Sequence, residues 1–467
     1  MRQLVFNPAV LPILIAIGII ALLLGCRIAA KGDNQFYLRR ITVFLFLFTG
    51  LNLTIPPFVF LYPEALAGFD KTISSAILQF AVYSFFVLIL SSWFSDFFES
   101  LLLLFKNPFL GLFLIFSVLS TAWSETPVLC LRSGLVLFFV SMLSAHMVKD
   151  LRWSELAKLL RLVTLVAALT SVISAAVAPS LAFGEKGLTG ILPFPIRLGT
   201  CMALGIALWF SLLLDQRKNR LKTIGIILIL LITLILTNSA QAIITCLTLV
   251  SLVGLLKVLK KMGRLAPILI LLYCSITILL VVGLNTYIPL IFNLLGRDAT
   301  LTGRTEFWPQ LIERLLSQRP LLGYSLNGFW QAWRGSLNPA NGILNASGFV
   351  PPNGHNGFLD LALCLGIIGL LLFSISFLAG FIQAIRHFAQ RKSSDEILPI
   401  LLLVYLVMAN ISETQLLGSN YIWILYVMTL VRLNIKPFRT IVDENVALRV
   451  TALYDDYAKF SSFNESN

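Results

Sequence analysis

The sequence predicts an all-α, polytopic integral membrane protein of about 12–13 transmembrane helices, with one large outer loop that carries amphipathic helices. Of the 467 residues, 58% are hydrophobic and only 12% are charged, whereas soluble domains carry about 25% charged residues. The mean hydropathy is +0.90. Apolar stretches of about 20 residues, the length that crosses a bilayer, recur along the chain. This composition excludes a disordered chain, a disulfide-stapled secreted scaffold and a cytosolic enzyme.

The apolar stretches define the predicted spans in chain order. They lie near residues 9–30, 41–62, 73–92, 108–123, 132–148, 162–181, 198–214, 223–237, 240–256, 266–284, 357–385, 397–411 and 420–433. Lysine and arginine concentrate in alternate loops, for example in residues 217–222, and the positive-inside rule places those loops in the cytoplasm. Most of the net charge of +13 is therefore a topology signal, and it predicts no nucleic-acid partner.

This topology divides the chain into three parts. Residues 1–107 hold N-terminal transmembrane helices, residues 108–433 form the core, and residues 434–467 form a cytoplasmic tail. Within the core, residues 285–356 form a long loop outside the membrane, and loops of that length are usually functional or disordered. The loop is rich in aromatic residues, which argues against disorder. The cysteines are scattered singly through apolar spans, so we expect neither disulfides nor a metal site, and no cofactor.

The long loop contains an amphipathic helix that begins near Arg304. Its apolar residues recur at helical spacing, Gly303 and Glu306 are placed to cap its start, and Pro320 follows its end. One interpretation is a helix that rests on the outer membrane surface. A second is that its N-terminus, with Arg304 there and Arg297 upstream, binds phosphate through free backbone N–H groups and a partial positive charge.

The basic residues of the long loop are all of one type. All five cations are arginine, and none is lysine. Because the planar guanidinium binds phosphate oxygens bidentately and loses less hydration on burial, this bias favours phosphate recognition. Chance composition is the alternative explanation. The five are Arg297, Arg304, Arg314, Arg319 and Arg334.

At the end of the long loop, His355 is held by prolines and glycine just before an apolar span. An imidazole with an ordinary pKa near 6.5 can accept or share a proton at this boundary. Asn356 and Asp360 would share a helix face and orient ligand hydroxyls. The alternative for His355 is a structural role as a helix cap or loop anchor.

These segments together resemble the O-antigen ligase and polymerase superfamily, and most closely its exopolysaccharide-production polymerases. The resemblance is carried by Gly303-Arg304-Thr305, by residues 319–324, and by His355-Asn356 followed by the Gly366–Gly369 turn. Further support comes from Trp123–Pro127 and from Asn410–Thr414. The resemblance implies a metal-independent, inverting glycosyltransferase in the bacterial inner membrane whose active site faces the periplasm. It also implies a polyprenyl-pyrophosphate glycan donor, a glycan or glycolipid acceptor, and partners in polysaccharide assembly.

By this resemblance, Arg304 is expected to bind the pyrophosphate and His355 to orient or deprotonate the acceptor. Arg197 matches a second family cation, although the histidine, lysine and asparagine that relatives often carry before the leucine-glycine pair are missing. Gln241 stands where relatives often have arginine, which leaves phosphate binding more dependent on Arg304, Arg197 and Arg297. The substrate-binding candidates are Arg197, Arg297, Glu306, Asn356, Asp360, Gln241 and Glu413.

Two other functional classes fit the hydropathy. A lipid-glycan flippase or other transporter would usually carry ionisable residues at mid-membrane depth, whereas Arg132, Asp360 and Glu413 all fall near span ends. A noncatalytic membrane subunit of a polysaccharide assembly complex is the other alternative. Within the glycosyltransferase class, no short motif separates a polymerase from a ligase, and the similarity of the Gly-Arg-Thr and His-Asn segments slightly favours a polymerase.

Overall fold

The structure is a computed structural model of the whole chain. It describes residues 33–49, 51, 94–215, 219–260, 268–273, 275–280, 304–344, 348, 350–390, 394–411, 413–418 and 420–435. The predicted spans at 9–30 and 73–92, and nearly all of the predicted tail, lie outside these residues. The spans predicted at 41–62 and 266–284 are described only in part.

The described residues form an all-α protein with one short β-hairpin. The α-helices are α1 (Asp33–Thr49), α2 (Phe94–Phe105), α3 (Pro108–Leu119), α4 (Pro127–Val148), α5 (Trp153–Val177), α6 (Pro179–Ala182), α7 (Pro195–Asp215), α8 (Arg220–Leu236), α9 (Ala240–Leu259), α10 (Arg304–Gln318), α11 (Gly357–Gln390), α12 (Leu398–Asn410) and α13 (Tyr421–Asn434). The hairpin pairs β1 (Phe183–Gly184) with β2 (Gly187–Leu188). Short 3-10 turns follow at Ser120–Trp123, Ala332–Leu337 and Ser394–Ile397.

Five helices of the described part, α4, α5, α7, α9 and α11, are long and apolar enough to cross a membrane. A sixth span is counted if α2 and α3, which meet at 108°, form one broken span. Large apolar side chains such as Ile232 and Ile235 on α8 are more than half exposed, as a hydrocarbon environment requires. The prediction of an all-α, polytopic membrane protein is confirmed.

Local sequence explains where these helices begin. Pro108, Pro127 and Pro195 open α3, α4 and α7, where the missing N–H of proline costs nothing. The side chain of Asn107 accepts a hydrogen bond from the backbone of α3, and that of Ser239 does the same for α9. These caps satisfy backbone donors that a helix otherwise leaves free.

Helix α7 packs closely against its neighbours and carries Arg197 in its first turn. A Cβ added at Gly199 would lie 2.5 Å from the Cβ of Ala242 on α9, and one at Gly205 would lie 2.8 Å from the Cβ of Thr164 on α5. Glycine therefore permits the close approach of both helices. The packing fixes the position of Arg197 relative to Gln241, which lies beside Ala242 at the start of α9.

Helix α11 is broken at Gly366, within the span predicted at 357–385 and at the start of the Gly366–Gly369 turn that supports the resemblance. Gly366 has φ 65° and ψ −169°, a combination that only glycine adopts readily. Residues 320–324 of the long loop fill the break. The N–H of Tyr324 donates to the carbonyl of Leu363 at 2.9 Å, and the N–H of Ile367 donates to the carbonyl of Pro320 at 2.9 Å. We call residues 320–324 and 363–368 together the interlock.

Candidate active site

Helix α10 confirms the helix predicted from residue 304 to the residues before Pro320. Phe307, Leu311 and Leu315 are buried in a cluster with Tyr324 and Phe329 of the same loop and with Leu363 of α11. Ile312 and Leu316, which belong to the same predicted apolar stripe, are 45% and 55% exposed. The helix thus packs one side on the protein and leaves a second apolar strip uncovered. Its first turn holds Arg304 and Glu306, and Glu306 is exposed.

The Trp123–Thr126 segment holds the rest of the long loop in place. Glu125 forms ion pairs with Arg319 at 2.6 Å and with Arg334 at 2.9 Å. The hydroxyl of Ser325 donates to the hydroxyl oxygen of Ser124 at 2.7 Å, and Gln331 Nε2 donates to Thr126 Oγ1 at 2.6 Å. We call this set the loop clamp.

Tyr324 joins the loop clamp to α10. Its hydroxyl donates to Gln318 Oε1 at 2.7 Å, and the guanidinium of Arg319 lies 5.3 Å from its ring centroid. Burial raises the pKa of this hydroxyl above its ordinary value. The phenol therefore stays protonated and keeps its hydrogen bond at neutral pH.

These contacts separate the arginines of the long loop into those with partners inside the protein and those whose side chains lie outside the described part of the chain. Arg319 and Arg334 bind Glu125, and Arg314 donates to the carbonyl oxygens of Pro339 at 2.9 Å and Asn341 at 3.2 Å. Three of the five arginines thus stabilise the loop itself. Arg297 lies outside the described residues, and Arg304 is described only by its backbone, at the first position of α10. The predicted phosphate-binding role falls mainly on these last two.

The loop before α11 places His355 beside the first turn of α10. His355 has φ 45°, and its N–H donates to Asn353 Oδ1 at 2.9 Å. Trp308 Nε1 donates to the carbonyl of Gly354 at 2.8 Å. The ring centroids of His355 and Phe307 are 6.4 Å apart. Because Phe307 comes one turn after Arg304 on α10, the backbone of Arg304 and the imidazole are brought to the same end of that helix.

The imidazole of His355 faces a carboxylate. Its Nδ1 lies 3.5 Å from Glu413 Oε1 and is buried without a hydrogen bond to any residue that the structure describes. Glu413 also interacts electrostatically with Arg197, whose guanidinium lies 5.2 Å from the ring centroid of Phe194. A base candidate, a carboxylate and a cation therefore meet where α7, α11 and the loop after α12 come together.

Asn356 and Asp360 use their side chains for internal hydrogen bonds. Asn356 Oδ1 accepts from the N–H groups of Phe358 at 3.0 Å and Leu359 at 3.1 Å, which caps α11. Buried Asp360 accepts from Trp330 Nε1 at 2.7 Å, from the N–H of Gly354 and from the hydroxyl of Thr414. Asp360 thus ties the long loop, the His355 loop and the loop after α12 together.

Gln241 lies at the start of α9, and only one of its two side-chain polar atoms has a hydrogen-bond partner among the described residues. Its Nε2 donates to the carbonyl of Met408 at 2.9 Å, while its Oε1 is buried and hydrogen-bonds to no described residue. Among the described residues, no three His, Cys, Asp or Glu side chains are grouped to hold a metal. The site is thus built from one histidine, carboxylates, amides and arginines.

Sequence reasoning overlooked the roles of Glu125 and Thr414. Both belong to a Ser-Glu-Thr tripeptide, residues 124–126 and 412–414, and each tripeptide follows a helix and meets a partner far along the chain. Both segments support the resemblance in sequence, and the tripeptide that they share was the available signal for a common role. Hydropathy does not report it, because both copies lie between apolar spans.

Two comparisons with known proteins bear on this region. The O-antigen ligase family model matches residues 225–374, a range that contains α10, the loop clamp arginines, His355 and the first half of α11. The exopolysaccharide production protein ExoQ of Rhizobium meliloti (strain 1021) is 32% identical over 114 residues, which are 23% of this chain and 25% of that relative. The match thus spans about a quarter of the curated relative. Together they confirm the resemblance to the O-antigen ligase superfamily.

Proposed function

From the match of residues 225–374 to the O-antigen ligase family, we propose that this integral membrane protein is a glycosyltransferase. It joins a glycan from a polyprenyl-pyrophosphate donor to a hydroxyl of a glycan or glycolipid acceptor, on the periplasmic face of the bacterial inner membrane. The observation that carries the proposal is the interaction of Glu413 with both His355 and Arg197, together with the packing of His355 against Phe307 in the first turn of α10. A base candidate next to cations is what this chemistry requires.

The proposed reaction is a direct, metal-independent displacement that inverts the anomeric carbon. The acceptor oxygen bonds to that carbon as the bond to the pyrophosphate oxygen breaks, and polyprenyl pyrophosphate leaves with the bonding electrons. His355 takes the acceptor proton. Arg304, with Arg197 and Arg297, stabilises the charge that develops on the leaving group. Preorganised donors of this kind each contribute on the order of 3 kcal/mol to the transition state.

The remaining candidates divide into two roles in this scheme. Asn356 and Asp360 position the His355 loop, since their oxygens already accept internal hydrogen bonds. Gln241 and Glu306 bind sugar hydroxyls in this scheme. Gln241 Oε1 accepts no hydrogen bond from a described residue, and Glu306 is exposed at the start of α10. Membrane lipid surrounds the spans, and partners in polysaccharide assembly would supply donor and remove product.

The direct test uses the purified full-length protein in lipid nanodiscs with a polyprenyl-pyrophosphate oligosaccharide, alone and together with a glycolipid acceptor. We expect longer glycan or glycosylated glycolipid and an equal amount of released polyprenyl pyrophosphate, with the same rate in the presence of a chelator. Movement of the lipid-linked glycan across a vesicle membrane without a new glycosidic bond would identify a transporter instead. If neither a new glycosidic bond nor movement of the lipid-linked glycan is observed, the result favours a noncatalytic subunit.

Deletion of the gene separates the two forms of the proposed activity. Surface glycan that keeps single repeat units but loses chain length identifies a polymerase. Accumulation of long chains that are not attached to an anchor identifies a ligase. The measurement is electrophoresis of surface glycan with and without a plasmid copy of the gene.

Replacing His355 with alanine is expected to lower the transfer rate by roughly a hundredfold or more between pH 6 and pH 8, because the acceptor hydroxyl loses its base. The assay is single-turnover release of polyprenyl pyrophosphate by the purified variant. His387→Gln is the control, since His387 lies near the other end of α11 and pairs with Glu396. Turnover retained across this pH range in His355→Ala would rule out an acid-base role.

A further inference from the structure

Glu413 interacts with two groups that have different tasks in the proposed reaction. One carboxylate oxygen is 3.5 Å from His355 Nδ1, and the same carboxylate interacts electrostatically with Arg197. The side chains of His355 and Glu413 are 22% and 18% exposed, so the pair is largely shielded from water. In such surroundings a charge pair is stronger than at an open surface.

We infer that Glu413 is a positioning residue, which holds His355 with the proton on Nδ1 and so leaves Nε2 as the base toward the acceptor hydroxyl. This inference rests on the proposed function. In a neutral imidazole one nitrogen carries the proton and the other accepts. A carboxylate at Nδ1 selects the tautomer and stabilises the imidazolium that forms when Nε2 takes the acceptor proton.

The alternative role of Glu413, direct contact with substrate, agrees poorly with the charge of the donor. A pyrophosphate is anionic, so a carboxylate beside it would raise the energy of the bound donor. A carboxylate that interacts with both a histidine and an arginine instead compensates protein charge.

The backbone after Glu413 is held firmly enough for this task. The hydroxyl of Thr414 donates to Asp360, and the N–H of Gln415 donates to Asn410 Oδ1 at 2.9 Å. Asn410 is fully buried at the end of α12. The carboxylate is thus presented from an anchored loop, as preorganisation requires. The distance of 3.5 Å is typical of a pair that tightens when substrate binds.

The charged groups around the imidazole set the sign of the expected pH effect. Glu413 faces Nδ1, Asp360 of α11 interacts electrostatically with His355, and Arg197 of α7 acts through Glu413. The backbone of Arg304 lies one turn from Phe307. Removing the charge of Glu413 takes away the negative charge that lies 3.5 Å from Nδ1, so the imidazolium that forms during proton transfer is less stabilised. The acidic limb of the pH–rate profile should therefore move to lower pH.

The test is steady-state kinetics of the full-length protein in nanodiscs from pH 5 to pH 9, with the same polyprenyl-pyrophosphate donor. For Glu413→Gln we expect kcat to fall roughly a hundredfold, the donor KM to stay the same or decrease, and the acidic limb to move down. Glu413→Asp keeps the charge, so its acidic limb should stay in place and part of kcat should return. Glu185→Gln, an exposed carboxylate in the hairpin turn, is the control.

The outcomes separate this inference from the proposed function. If the wild-type protein transfers no glycan, the proposed function fails. If it does, the inference alone is overturned by a Glu413→Gln variant that keeps its kcat, that loses activity only through a higher KM, or whose acidic limb does not move. Thermal unfolding of each variant in detergent is measured alongside. If Glu413→Gln does not fold, the kcat and the acidic limb of Glu413→Asp test the inference instead.

Discussion

Replacing Arg304 with alanine is expected to abolish glycan transfer while the protein remains folded in the membrane. Arg304 opens α10, and a helix N-terminus carries a partial positive charge and N–H groups without intrahelical partners. Three other arginines of the long loop are bound within the protein, so they do not replace it. Loss of about 3 kcal/mol of leaving-group stabilisation slows the reaction by roughly a hundredfold or more.

The measurement is polymer or glycolipid formed in cells, together with the single-turnover rate of the purified variant. Lys186→Ala is the matched control, because it removes an exposed cation from the hairpin turn. Arg304→Lys should restore only part of the rate, since lysine keeps the charge but lacks the planar fork that binds two phosphate oxygens. Near-normal glycan in cells that carry Arg304→Ala would refute the assignment.

The helix that carries Arg304 was predictable from the sequence because the causes are local. Apolar residues at helical spacing and a proline beyond the end act within a few residues of one another, so α10 ends at Gln318 as expected. The spans predicted at 132–148 and 198–214 likewise correspond to α4 and α7, although these helices begin earlier than predicted, at Pro127 and Pro195. His355 was likewise identifiable, since it is one of only 3 histidines in the chain.

The partners of these residues were not predictable, because they come from distant parts of the chain. Helical spacing correctly groups Asn356 with Asp360, yet it says nothing about Trp330 and Thr414, whose side chains donate to Asp360. In the same way, an arginine-only loop indicates phosphate but does not reveal that Glu125 binds two of those arginines. Spacing in the sequence predicts which residues share a helix face, whereas tertiary packing determines which distant residues that face contacts.

Hydropathy alone does not reveal the break in α11, although the Gly366–Gly369 turn of the resemblance indicates where it lies. A hydropathy window averages about 20 residues, and a single glycine with positive φ leaves that average almost unchanged. The break also requires backbone partners, which residues 320–324 provide in the part of the chain that the structure describes. Without them, the freed N–H and C=O groups of this buried segment would be unsatisfied, at a cost of about 1–3 kcal/mol each. The long loop and α11 therefore depend on each other.

This dependence predicts that Gly366→Ala separates the long loop from α11. A Cβ at Gly366 would lie 2.1 Å from the carbonyl oxygen of Leu321, and the backbone conformation there is strained for any residue but glycine. Conformational strain and overlap together cost roughly 4 kcal/mol or more. We expect a large drop in the thermal midpoint in detergent and rapid tryptic cleavage after Arg334 of the loop clamp, which is followed by glycine.

Gly254→Ala on α9 is the matched control, since a Cβ there meets nothing within 4 Å and alanine favours a helix by up to about 1 kcal/mol. Gly323→Ala should reproduce the effect of Gly366→Ala, because its Cβ would lie 2.5 Å from the backbone N of Gly366. The double variant should then be little worse than either single one, as two changes that break one contact are not additive. A Gly366→Ala protein as stable and protease-resistant as Gly254→Ala would mean that the loop holds its place without the interlock, through the loop clamp and the α10 cluster alone.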